Sequence, residues 1–113
     1  MGLLLFKKVF FAPIRQGRKR MTLRRWAHPR VTAGSRAFCP GLGYLNIESV
    51  EPVTLSELNE DDAKTDGFDS LTEMKKTLLS IYPDPTDGKS WWRVRFNWET
   101  QKVENGETLF PES

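Results

Sequence analysis

Cysteine and histidine are almost missing from this 113-residue chain, which has one of each. A lone Cys39 excludes an internal disulfide framework, and with His28 as its one companion no zinc-site spacing can be written. No metal and no organic cofactor is expected. Cys39 reads as a small buried hydrophobe, and His28, in a loop before Pro29, as a surface residue. Long apolar runs are lacking too. The opening MGLLLF is too short for a secretory leader, and its charges, Lys7 and Lys8, follow the apolar residues instead of preceding them. Phe6 stands where a myristoylation motif needs Ser or Thr. Nothing approaches the length of a membrane span. A soluble, cytoplasmic protein without membrane partners is expected, with a monomer as its simplest state.

Acid is absent from residues 1–36, which hold ten of the seventeen lysines and arginines. The other 77 residues carry all fifteen acids and only seven bases, so the net charge of +2 conceals a strong segregation. A merely solvated surface usually mixes its signs. This pattern points to a basic face that attracts phosphate, with acids placed elsewhere for solubility. By length the chain is one domain with one modest core. Residues 1–98 form that domain, and 99–113 are expected to be a mobile tail with a turn at Asn105-Gly106.

Periodicity supplies the elements. Leu3 to Phe6 reads as a short buried strand, and FFAPIRQG as a helix of about two turns, with Pro13 in its first turn and Gly17 at its end. RMTLRRW is a strand whose alternation sends Met21 and Leu23 inward, Thr22 and Arg24 outward. AHPRVTAGS connects, turning at Ala33-Gly34. SRAFCP and GYLNIESVEPV make a hairpin around PGLG. TLSELNEDDAKTDGF reads as two short helical turns with acids at their positive ends and Gly67 as a stop. DSLTEMKKTLLSIYPDP is the clearest helix: Ser70 and Glu73 suggest a capping box, and Leu71, Met74, Leu78, Ile81 and Tyr82 form one stripe. SWWRVRFNW alternates strictly, with Trp92, Val94, Phe96 and Trp98 on one side and Trp91, Arg93, Arg95 and Asn97 on the other. Short strands with helices between them indicate α+β, most economically a small, partly closed β-barrel with helices packed on it.

LLFKKVFFAPIRQGRKRMTLRR, PRVTAGS, LNEDDAKTDGFDSLTEMKKTLLSIYPDP and WWRVRFNW together resemble the ASCH family over about residues 3–98. The resemblance implies a PUA-like barrel and an association with RNA or modified nucleosides. The family motif Gly-x-Lys-x-x-Glu-x-Arg falls on Gly17, Lys19 and Arg24, with Thr22 in the glutamate position. The small bacterial members that deacetylate the exocyclic amine of acetylated cytidine also have threonine there. Similarity to that branch implies catalytic roles for Lys19 and Thr22. It places Asp66 where the branch has a glutamate, one methylene longer, across an alignment needing one extra residue before SLTEMKK.

The chemistry fits those residue types. A threonine hydroxyl attacks an amide only if a base removes its proton. Neighbouring cations disfavour a charged lysine, and Arg18, Arg20, Arg24 and Arg25 surround Lys19 in sequence. Asp66 could orient the lysine or give a proton to the leaving amine. Arg24 could hold an oxyanion or a phosphate. Trp26 and Trp91 are candidates for stacking on a base beside Arg93, and Tyr44 for lining the same cleft. Two other readings stay open: a ribonuclease using a lysine beside a tyrosine, and a non-catalytic RNA-binding module in which the basic residues only grip phosphates.

Overall fold

A computed structural model of the chain describes residues 2–83 and 87–100. Five strands form one sheet: β1 (Gly2–Leu3), β2 (Met21–Trp26), β3 (Arg36–Cys39), β4 (Gly43–Val53) and β5 (Ser90–Trp98). Their order across the sheet is β1-β3-β4-β5-β2. β1 runs parallel to β3, and every other pairing is antiparallel. The first two strands in sequence are therefore the two edges of the sheet. The sheet curves into a half-barrel, and the Arg24 guanidinium spans its open side by donating to the Leu5 carbonyl at 2.7 Å. The fold is the expected α+β small barrel.

Three helices complete it: α1 (Phe11–Arg15), α2 (Glu60–Asp66) and α3 (Leu71–Ile81). Gly17, at φ 77°, takes the left-handed conformation that lets the chain leave α1 and enter β2. The acidic stretch forms a 3-10 turn at Leu55–Glu57 and then α2, each opened by a reciprocal capping box, Thr54 with Glu57 and Asn59 with Asp62. In α3 the Ser70 hydroxyl accepts from the Glu73 amide, which is one half of the capping box expected there; the return bond from the Glu73 side chain is not among those of the described residues. Glu60 takes the next amide, accepting from Leu71 at 3.0 Å.

Both faces of the sheet are covered, and this decides where β2 and β5 put their side chains. Val94 and Phe96 of β5 join Leu45, Ile47, Ile14 and Trp26 inside the half-barrel. Met21, Leu23 and Trp91 pack with Met74, Leu78 and Ala63 beneath α2 and α3. Each large side chain so buried contributes about 1.5–3 kcal/mol. The alternation read for β5 holds. The alternation of β2 holds as well, but its outward side is a second interior, so Thr22 is buried instead of solvent-facing.

Two further expectations are corrected. Leu3 to Phe6 is not a buried strand: β1 has two residues, Leu4 is buried, and Leu3 and Leu5 alternate out to 58 % and 55 % exposure. Ile81, assigned to the packed stripe of α3, is 59 % exposed, whereas the other stripe residues, Leu71, Met74, Leu78 and Tyr82, pack on the core. The tail assigned to 99–113 lies outside the described residues from 101 onward. Glu99 is held by the Tyr44 carbonyl and by Arg36.

Candidate active site

Lys19 lies in the short connection between Gly17 and β2. That connection is fixed from both sides. The Arg18 and Lys19 amides donate to the Pro13 carbonyl at 3.0 and 3.2 Å. The Arg20 amide donates to Thr65 of α2 at 2.7 Å, and the Arg20 carbonyl accepts from Phe96 of β5 at 3.0 Å. The loop is thereby tied to α1, to the end of α2 and to the sheet, and the lysine side chain enters the interior.

Asp66 is the last residue of α2, with Gly67 capping at φ 99°. A helix end leaves carbonyls without intrahelical donors and carries partial negative charge, so a cation is favoured there. The Lys19 amine donates to the Asp66 carboxyl, to the Asp66 carbonyl at 3.0 Å and to the Met21 carbonyl at 3.2 Å. The Lys19 and Asp66 residues are 5 % and 7 % exposed, and Thr22 is 6 % exposed. A lone hydroxyl that dry needs a partner. It has one: Arg24 Nε donates to Thr22 Oγ1 at 3.1 Å. Thr22 and Arg24 share one face of β2, two residues apart, as the strand period requires.

Two phenylalanines wall the site. The Lys19 amine lies 5.2 Å from the centre of the Phe10 ring and 5.8 Å from that of Phe6. The Arg24 guanidinium is 4.8 Å from the Phe6 ring centre. Phe6 thus adjoins both cations, while Phe10 remains 38 % exposed. The residue-type signal for both was the phenylalanine-rich run ahead of Gly17, which the motif reading passed over.

Burial sets the electrostatics. Desolvation pulls the Lys19 amine below its ordinary value, against the opposing charge and hydrogen bond of Asp66, and Arg24 pulls in the same direction as burial. Desolvation likewise pushes the Asp66 carboxyl above its ordinary value, against Lys19 and Arg24, with Asp62 adding to the rise. Both members of the pair therefore move towards sharing one proton as amine and carboxylic acid. The expected crowd of arginines is not the main cause; burial is, with Arg24 the contributing arginine.

The other sequence candidates lie elsewhere or are already engaged. Arg18 and Arg20 are exposed on the surface, with Arg18 Nε donating to Gln16 at 2.8 Å. Arg25 is buried in a bidentate pair with Asp87, at 2.6 and 3.2 Å. Trp26 and Trp91 are core residues, each 8 % exposed, so neither offers an open ring for stacking. Trp91 instead meets the Tyr82 ring edge-on beneath α3. Arg93 faces α2 and pairs with Asp62 and Glu51. Tyr44 is in the β3–β4 hairpin, packed on Phe38 and beneath Arg36, and the structure does not bring it to Lys19. The sequence signals for these residues were genuine aromatic and basic positions, but on a doubly covered sheet such positions become core and ion pair.

The Lys19–Asp66 pair and the Arg24–Thr22 pair, both adjoining Phe6, gather an amine, an acid, a hydroxyl and a guanidinium in the buried interior. That is the equipment for nucleophilic attack on a carbonyl with an electrostatic hold on the oxyanion.

No family model matches the chain. Curated relatives do. The chain is 34 % identical over 96 residues to the N(4)-acetylcytidine amidohydrolase of Haemophilus influenzae strain 86-028NP, covering 76 % of this chain and 86 % of that protein. It is 30 % identical over 92 residues to the protein of the same name from strain PittEE, covering 73 % and 84 %. Among solved structures, the ASCH domain from Lactobacillus crispatus JV V101 superposes with a TM-score of 0.67 at 16 % identity, over 79 % of this chain and 69 % of that one.

Proposed function

This chain belongs to the ASCH family, in the branch of the N(4)-acetylcytidine amidohydrolases, and from that premise we propose that it hydrolyses the amide of acetylated cytidine with Lys19, Thr22, Arg24 and Asp66. The observation that carries the reading is the dry Lys19–Asp66 pair beside a threonine hydroxyl already held by an arginine.

Thr22 Oγ attacks the acetyl carbonyl carbon and its proton passes to the neutral Lys19 amine. Arg24, already against Thr22, stabilises the oxygen anion that forms. When the carbon–nitrogen bond breaks, the exocyclic amine of cytidine leaves with a proton from the Lys19–Asp66 pair, and the acetyl group stays as an ester on Thr22. Water, deprotonated by the same pair, then releases acetate and restores the hydroxyl. In the present state the Lys19 amine is bonded to Asp66 and Met21, so it must turn towards Thr22 when substrate arrives. Catalytic hydrogen bonds commonly tighten only in the complex.

Phe10 offers the exposed aromatic face nearest the lysine, and a pyrimidine ring stacked on it would bring its exocyclic amide to the site. The substrate is then a modified nucleoside, free or within RNA. Incubation with acetylcytidine and with acetylated RNA tests the reading, alongside Lys19→Ala and Thr22→Ala. Release of cytidine and acetate, lost in both variants, supports it. RNA strand cleavage that survives Thr22→Ala would point to a ribonuclease.

A further inference from the structure

The site has a continuation that the chemistry above does not use. Thr22, Arg24 and Trp26 project in turn from the same face of β2, each step of two residues advancing about 6.8 Å. Beyond Arg24 that face borders a cleft of about 350 Å³, lined by Leu3, Leu5, Arg24, Trp26 and Arg30. Three of these are apolar and two are arginines, with no acid among them. Leu3 and Leu5 are more than half exposed. The Arg30 side chain is exposed and makes no hydrogen bond or ion pair among the described residues. Arg24, by contrast, is already committed to Thr22 and to the Leu5 carbonyl.

An apolar floor beside an uncommitted guanidinium suits a ligand with a compact ring at one end and an anion at the other. A larger acyl chain would use the floor and leave Arg30 without a purpose. Resting on the amidohydrolase reading, we propose that this cleft takes the phosphorylated ribose of the substrate. The reacting amide then lies at Thr22, the sugar runs past Arg24 over Leu5, and the phosphate meets Arg30. The preferred substrate class is acetylated cytidine carrying a phosphate, whether as a mononucleotide or as a residue of RNA, above the free nucleoside.

Three acetylated substrates decide it: the nucleoside, its 5′-monophosphate and a short RNA containing the same residue. The expected kcat/KM is about tenfold higher for the monophosphate than for the nucleoside at low salt, the ratio falling towards one in Arg30→Ala and below one in Arg30→Glu. A still higher value for the RNA assigns the phosphate to a polynucleotide; a lower one assigns it to a mononucleotide. Equal values for nucleoside and monophosphate, or a ratio that Arg30→Glu leaves intact, overturn the proposal. Calorimetric binding of cytidine and cytidine 5′-monophosphate separates this from failure of the hydrolase reading. Without turnover of any substrate, a tenfold preference for the monophosphate that Arg30→Glu abolishes still supports the cleft, and equal binding removes it.

Discussion

Asp66 accepts from the Lys19 amine twice, through its carboxyl and through its main-chain carbonyl at 3.0 Å. The double contact exists because Asp66 is the final residue of α2, where the backbone oxygen has no helical donor. It holds the lysine at a helix end while burial disfavours the lysine's charge. Such a pair contributes little net stability, since desolvation offsets the attraction, and in the proposed reaction its use is the proton it can move.

That balance fixes the direction of pH effects. The proposed reaction needs the neutral amine, so kcat should rise with pH through a Lys19 value lowered from 10.5. Asp66 acts to raise that value and Arg24 to lower it. In Asp66→Asn the rising limb should therefore move to lower pH, and in Arg24→Gln to higher pH. Profiles of kcat against pH for the two variants check this. Shifts in the same direction would falsify the assignment of Lys19 as the base.

Thr22 should be irreplaceable by alanine but replaceable by serine. Removing the nucleophile or its base is expected to cost about 10²–10⁴-fold in kcat, for Thr22→Ala and Lys19→Ala alike. Thr22→Ser keeps the hydroxyl that Arg24 holds and should keep most of the activity. Mass spectrometry of enzyme quenched during turnover should find an added acetyl group in the peptide containing Thr22. Full activity in Thr22→Ala would instead leave water as the attacking group.

Phe10 tests the placement of the base. Stacking on an aromatic ring is worth about 1–3 kcal/mol, so Phe10→Ala should raise KM by about tenfold or more with kcat little changed. Phe10→Trp should restore it. If Phe10 only keeps the lysine dry, the variant should displace the pH profile and leave KM alone.

Much of this was legible in the sequence, for identifiable reasons. The hairpin around PGLG, the capped turns of the acidic stretch, α3 and the alternation of β5 are local features, and local rules found them. The juxtaposition of Lys19 with Thr22 and Asp66 rested on a motif, and the structure brings Lys19 and Asp66 together across 47 positions of sequence. What could not be read was coverage. Alternation says that Thr22 and Leu23 face opposite ways, but not that both ways are interior. The same ignorance made Trp26 and Trp91 look like open stacking surfaces and Arg93 like a phosphate contact. The edges of the sheet were hidden for a related reason: β1 pairs with β3, leaving Leu3 and Leu5 over a cleft that no local pattern announces.

Asp62 carries the most consequential structural charge near the site. Its carboxylate accepts from the Asn59 amide at 3.0 Å, which starts α2, and from Arg93 and Arg95 on β5 at 3.0–3.3 Å. It is 1 % exposed, whereas the Arg93 and Arg95 side chains are 17 % and 34 % exposed. Asp62→Ala would leave two arginines facing each other and remove the carboxylate half of the capping box, while the Asn59 side chain still accepts from the amide of residue 62. Breaking a fully buried pair costs about 3–5 kcal/mol, and screening at Arg95 places this one nearer 2–3 kcal/mol. Asp62→Asn retains the cap and one acceptor and should cost about half as much. Because α2 delivers Asp66 to Lys19, the alanine variant should also lose activity, and it should do so by a fall in the folded fraction as denaturant rises. Urea unfolding followed in parallel with activity separates the two effects. If Asp62→Ala unfolds at the wild-type midpoint yet is inactive, the link from β5 through Asp62 to Asp66 is one of positioning and not of stability.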